Sequence, residues 1–152
     1  LREFRGAPHR LELVRELDGV QYINDTTATA PNATIVAIKT LAPRGGNIFL
    51  IAGGYDKGLP YTEMAKVIAE TNARVILLEG TATEKIERAL NEANAQTQIV
   101  ARAKNLPEAV EFGTNSASAG DIVLLSPGAA SFGMFLNEFE RGDKFREIVN
   151  AL

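Results

Sequence analysis

Hydrophobic and polar positions change rhythm several times along the chain. Arg10–Leu17 (RLELVREL) alternates apolar with polar residues, the pattern of a half-exposed strand. Asp18-Gly19 is a hairpin turn signal, and Val20–Asn24 (VQYIN) answers it as a second, antiparallel strand. Asn47–Ala52 (NIFLIA), Arg74–Leu78 (RVILL) and Asp121–Leu125 (DIVLL) are apolar without alternation, as strands covered on both faces are. Gln98–Ala101 is a weaker strand signal. Between them the spacing becomes helical. Thr34–Leu41 carries Ile35, Ile38 and Leu41 on one face, with Pro31 in its first turn and Pro43, Gly45 and Gly46 at its end. Tyr61–Thr71 carries Met64, Val67 and Ile68, and Ala82–Asn91 has Thr81 as its cap and Glu84 as capping-box partner. Leu106–Ala117 follows Asn105, and Phe139–Leu152 turns Phe145, Ile148, Val149 and Leu152 inward.

This succession predicts an α/β fold: a mostly parallel (Rossmann-like) sheet of about six strands, with an N-terminal antiparallel hairpin and helices on both faces. One domain is expected over 10–152. Residues 1–9 (LREFRGAPH) read as a linker from a preceding domain.

In such a sheet, ligands gather where buried strands end and helices begin, because backbone N–H groups point outward there. Three loops qualify. Asp25–Asn32 offers a carboxylate and the hydroxyls of Thr26, Thr27 and Thr29. Gly53–Gly58 offers two glycines and the ammonium of Lys57. Ser126–Phe132 offers Ser126, Ser131 and a run of small residues, from which a helical pattern is expected to continue directly. That mixture suits an anionic or zwitterionic small ligand. Plainer readings stand beside it. The three threonines could equally cap the next helix, His9 after Pro8 could be a surface linker residue, and Glu138, Glu140, Arg141, Asp143 and Lys144 could form one solvated, ion-paired face.

Composition narrows the chemistry. There is no Cys and one His in 152 residues, so thiolate chemistry and Cys- or His-rich metal sites are out of reach. A serine nucleophile would lack a nearby base, and no paired carboxylates stand in the loops, so no catalytic residue is expected. Net charge is −3 and no basic run exceeds two residues, which argues against a nucleic-acid surface. The longest apolar runs, about six residues, are too short to span a membrane. Neither GxxxxGK[ST] nor GxGxxG occurs, which disfavours a P-loop and a dinucleotide-dependent oxidoreductase.

Five segments in order carry a family resemblance: Pro8-His9-Arg10-Leu11-Glu12, Ile23-Asn24-Asp25-Thr26-Thr27-Ala28-Thr29, Gly53-Gly54-Tyr55-Asp56-Lys57-Gly58, Leu125-Ser126-Pro127-Gly128-Ala129-Ala130-Ser131-Phe132 and Phe139-Glu140-Arg141-Gly142-Asp143-Lys144-Phe145. Together they resemble the C-terminal domain of the Mur ligase family, and within it the branch that adds D-glutamate to UDP-N-acetylmuramoyl-L-alanine in peptidoglycan synthesis. The resemblance implies a cytoplasmic, monomeric, ATP-dependent amide-forming ligase. ATP and Mg would be held mainly by a central domain outside this chain, the UDP-sugar by other domains, and the isolated domain would be inactive. By matching position, Thr29, Lys57, Ser131 and Phe132 would bind D-glutamate, and His9, Arg10 and Asp25 would stand on the nucleotide side. Thr27 occupies a position where the family usually carries lysine, and Phe139 is displaced by one position from the family aromatic. A Mur-type domain of other amino-acid selectivity, or a non-catalytic nucleotide- or anion-binding module, are the alternatives.

Overall fold

In the computed structural model, residues 6–152 are described; residues 1–5 of the expected linker lie outside the described residues. These residues form a six-stranded sheet in the order β1-β2-β6-β3-β4-β5. The strands are β1 (Glu12–Leu17), β2 (Val20–Asn24), β3 (Ile48–Gly53), β4 (Ala73–Leu78), β5 (Ile99–Ala103) and β6 (Ile122–Leu125). The helices are α1 (Pro31–Leu41), α2 (Thr62–Ala69), α3 (Thr83–Glu92), α4 (Leu106–Ser116) and α5 (Glu138–Asn150). β1 and β2 pair antiparallel, while every other pairing is parallel. Asp18 and Gly19 both adopt positive φ, 53° and 78°, as a two-residue hairpin turn between right-twisted strands requires.

The unalternating apolar runs are explained by two cores. Ile48, Leu50 and Ala52 of β3 face one core with Ile38 of α1, Met64 and Ile68 of α2, and Ile86 of α3. Phe49 and Ile51 face the other with Val110 of α4 and Phe145 and Val149 of α5. β6 divides the same way, Leu124 to the first core and Val123 and Leu125 to the second. Each central strand is therefore apolar at every position, because a helix layer covers each side.

Four local expectations are corrected. No helix continues from Ser131: residues 132–137 run as turns, with Gly133 at φ 88°, and α5 begins only at Glu138, capped by Asn137 Oδ1 on the Glu140 amide at 2.9 Å. Thr81 does not cap α3; its hydroxyl accepts from the Asp56 amide at 2.8 Å, and the N-cap residue is Ala82. Leu152 is exposed, lying beyond the last turn of α5. Arg141 leaves the solvated face expected of its charged neighbours and is buried, in step with Phe145 and Val149 one and two turns later.

Candidate functional site

Because β2, β6 and β3 are parallel neighbours, their carboxyl ends lie side by side, with Leu125 in register with both Asn24 and Ile51. The three loops singled out above leave from this rim. Backbone hydrogen bonds tie them together. Asp25 N–H donates to Leu125 C=O at 2.7 Å, Gly128 N–H to Ala28 C=O at 2.8 Å, and Gly53 N–H to Pro127 C=O at 3.0 Å. Tyr55 and Ala130 exchange both N–H···O bonds, at 2.9 and 3.1 Å, so the second and third loops form a two-residue ladder. Gly54 must be glycine for this: its φ is 135°, and a β-carbon there would press on the Ala130 carbonyl.

The expected glutamate-side residues fall into two pairs on this rim. Lys57 Nζ donates to Thr29 Oγ1 at 3.3 Å, joining the first loop to the second. Neighbouring Asp56 is engaged elsewhere, with Lys85 at 3.4 Å and the Gly58 amide at 2.8 Å. Among the described residues, Lys57 forms no ion pair. Ser131 is buried and Phe132 is exposed, its ring edge-to-face with Tyr55 at 5.6 Å. Both line a cavity of about 340 Å³ whose walls include Gly54, Tyr55, Gly80 and Arg141. Thr29 and Lys57 are not part of that wall.

The expected nucleotide-side residues cluster at the start of β1. Asp25 is buried; Oδ1 accepts from Leu11 N–H at 3.1 Å and Oδ2 from Ser126 Oγ at 2.7 Å. Burial pushes its carboxyl above the ordinary 3.8, against the lowering pull of the Ser126 hydroxyl, the Leu11 amide and the Arg10 charge. Arg10 is exposed. His9 is not a surface linker residue: its side chain is 13% exposed, with Nδ1 3.2 Å from Asn24 Nδ2, Nε2 3.5 Å from Asp143 Oδ1, and the ring edge-to-face with Phe139 at 5.5 Å. Nor do the threonines cap α1, whose N-cap Ala30 receives no side-chain bond. Thr26 Oγ1 instead donates to Glu138 C=O at 2.7 Å and accepts from Arg141 Nε at 2.9 Å.

Arg141 is the residue that sequence reasoning missed. From α5 its guanidinium reaches Thr26 C=O at 2.8 Å and Ala129 C=O at 3.1 Å, and so holds the first and third loops at once. Among the described residues no carboxylate pairs with it, and burial brings its pKa down to about 10, countered by Glu138. Its position four residues before Phe145 was the available signal. Among the described residues, no group of three or more His, Asp or Glu is placed to hold a metal, and no helix is long and apolar enough to cross a membrane.

A profile described as "Mur ligase, glutamate ligase domain" matches residues 9–129. The chain is 51% identical over 148 residues to a UDP-N-acetylmuramoylalanine--D-glutamate ligase of Roseiflexus sp. (strain RS-1), covering 97% of this chain and 31% of that protein. A ligase of the same name from Marinobacter nauticus is 45% identical over 151 residues, covering 99% and 33%. The chain spans about a third of the length of these curated relatives. Among solved structures, a MurF ligase from Thermotoga maritima in complex with ADP matches 98% of this chain and 32% of its own, with a TM-score of 0.66 at 18% identity, a likeness of fold.

Proposed function

The chain belongs to the Mur ligase family through its glutamate ligase domain, and on that premise we propose that it is the glutamate-binding domain of an ATP-dependent ligase. The longer enzyme joins D-glutamate to UDP-N-acetylmuramoyl-L-alanine in peptidoglycan synthesis. The names of the relatives support the substrate, and the loops of this chain support the division of labour.

The observation that carries the reading is the Thr29–Lys57 pair on a rim shared with buried Ser131, the two halves tied by the Tyr55–Ala130 ladder. D-Glutamate carries two carboxylates and an ammonium. An ammonium that forms no ion pair among the described residues, two hydroxyls and backbone N–H groups match those carboxylates by charge-assisted hydrogen bonds. Lys57 binds the side-chain carboxylate, Thr29 and Ser131 supply hydroxyls to the glutamate, and Phe132 contributes its backbone. The amine is left free to attack the carbonyl carbon of the phosphate-activated muramoyl-alanine carboxyl, forming the amide and releasing phosphate.

His9, Arg10 and Asp25 serve the nucleotide side. Exposed Arg10 suits a phosphate. Asp25, buried and already accepting two hydrogen bonds, does not suit direct metal ligation, so it holds the Leu11 backbone and Ser126 in place. When bound, ATP would supply the phosphoryl group that activates the muramoyl-alanine carboxylate, held chiefly by residues of the longer enzyme. This domain positions and closes and carries no covalent step of its own.

The test is Lys57→Ala in the full-length ligase. The KM for D-glutamate is expected to rise at least about tenfold, the loss of one charge-assisted hydrogen bond. An unchanged KM rejects the reading.

A further inference from the structure

We propose that Thr27 is a positioning residue that sets Thr29, and through it the Lys57 ammonium, from the turn at His9; the proposal rests on the glutamate-binding reading above. The Thr27 N–H donates to the His9 carbonyl at 3.2 Å, and the Thr27 hydroxyl donates to the same oxygen at 3.0 Å. The Thr27 carbonyl accepts from Thr29 N–H at 2.9 Å. Thr29 Oγ1 accepts from Lys57 Nζ at 3.3 Å. One unbroken run of hydrogen bonds therefore leads from His9 to the ammonium that meets the substrate.

The far end of this run is anchored. His9 sits at φ 63°, a backbone conformation that a side-chain-bearing residue holds only where its surroundings enforce it. The Asn24 amide nitrogen can only donate, and Asn24 Oδ1 is occupied by the Thr26 amide at 3.2 Å, so His9 Nδ1 is the acceptor and Nε2 carries the proton facing Asp143. The His9 amide donates to Glu12 Oε1 at 3.2 Å. Gly142 leaves no room beside the ring, since a β-carbon there would overlap it. The imidazole is thus wedged between β2 and α5, both of which contribute to the core.

Two donors from one residue converging on one fixed oxygen restrain rotations that a single bond leaves open. The backbone bond survives replacement of the Thr27 side chain by any residue but proline, whereas the second bond needs a hydroxyl there. Thr27 touches no proposed substrate group; it acts through Thr29.

The experiment is steady-state kinetics of the full-length ligase. Thr27→Val is expected to raise the KM for D-glutamate roughly three- to tenfold, with kcat and the KM for ATP within about twofold of wild type. Thr27→Ser, which keeps the hydroxyl, restores the wild-type KM. Thr27→Lys, which replaces the hydroxyl with a second cation, behaves as Thr27→Val does. A wild-type KM in Thr27→Val, or a KM in Thr27→Lys at or below wild type, overturns the proposal. Lys57→Ala in the same assay separates the two levels. If it leaves the KM unchanged, the glutamate-binding reading itself falls; if it raises the KM while Thr27→Val does not, only the role of Thr27 falls. Amide hydrogen exchange in the unmodified enzyme adds a readout that needs no variant. The Thr27 and Thr29 amides exchange slowly and together if the run of bonds is intact, and a fast-exchanging Thr29 amide overturns it.

Discussion

Arg141 donates twice to Thr26, from Nε to the hydroxyl at 2.9 Å and from Nη2 to the carbonyl at 2.8 Å. A third bond, from Nη1, reaches the Ala129 carbonyl at 3.1 Å. Truncation removes the donors and leaves two carbonyls and a hydroxyl facing a void. Arg141→Ala is expected to cost on the order of 3–5 kcal/mol. Urea unfolding of wild type and variant checks it, and a loss under about 1 kcal/mol contradicts the buried arrangement.

Gly142 lies inside α5, where alanine normally stabilises a helix by about 1 kcal/mol. Here a β-carbon would overlap the His9 ring and crowd Thr26 Cγ2. Gly142→Ala is therefore expected to destabilise the fold by about 2 kcal/mol or more. Thermal melts of the two proteins decide the sign.

Asp25 trades stability for its position. Its carboxyl is raised by burial, so the unfolded chain ionises first as pH climbs past 3.8 and the folded state lags. The charged form then opposes folding increasingly up to the raised value, and fully above it. Asp25→Asn is expected to melt at or above the wild-type temperature at neutral pH, with the difference vanishing below 3.8. Ligase activity of the full-length variant is expected to fall. Lower stability at neutral pH together with full activity would contradict both halves.

Glu12 has the opposite slope. Burial alone would raise its carboxyl, but the Arg146 guanidinium, the His9 amide and the Asn24 amide outweigh burial and hold it below the ordinary 4.5. Arg146 grips it through Nε at 3.0 Å and Nη2 at 2.8 Å. A depressed carboxyl stabilises fully above 4.5, and that contribution is lost as pH falls through the folded value. The stability gap between wild type and Glu12→Gln is expected to be largest at neutral pH and to close in acid. A gap independent of pH would show that the ion pair is not its source.

The fold was legible wherever one local rule was enough. Apolar runs such as Ile48–Ala52 announced strands covered on both sides, and Asp18-Gly19 announced the hairpin. The three loops were legible as a set, since parallel strands bring their ends to one rim. What stayed hidden depended on partners far along the chain. Thr81 looked like a cap because its true partner, the Asp56 amide, lies 25 residues away. A helical pattern was expected to continue directly from the small residues of the third loop, yet Gly133 takes a positive φ that a helix does not contain. Arg141 was masked by charged neighbours that do remain on the surface.

The placement of β6 between β2 and β3 bears on when the domain can assemble during synthesis. Until Ile122–Leu125 has left the ribosome, β2 and β3 each keep a bare edge, and the two loops that follow them have no third loop to pack against. The rim therefore stays unassembled for most of synthesis, and a chain halted before Asp121 is expected to be cut readily by protease between Gln21 and Ile51.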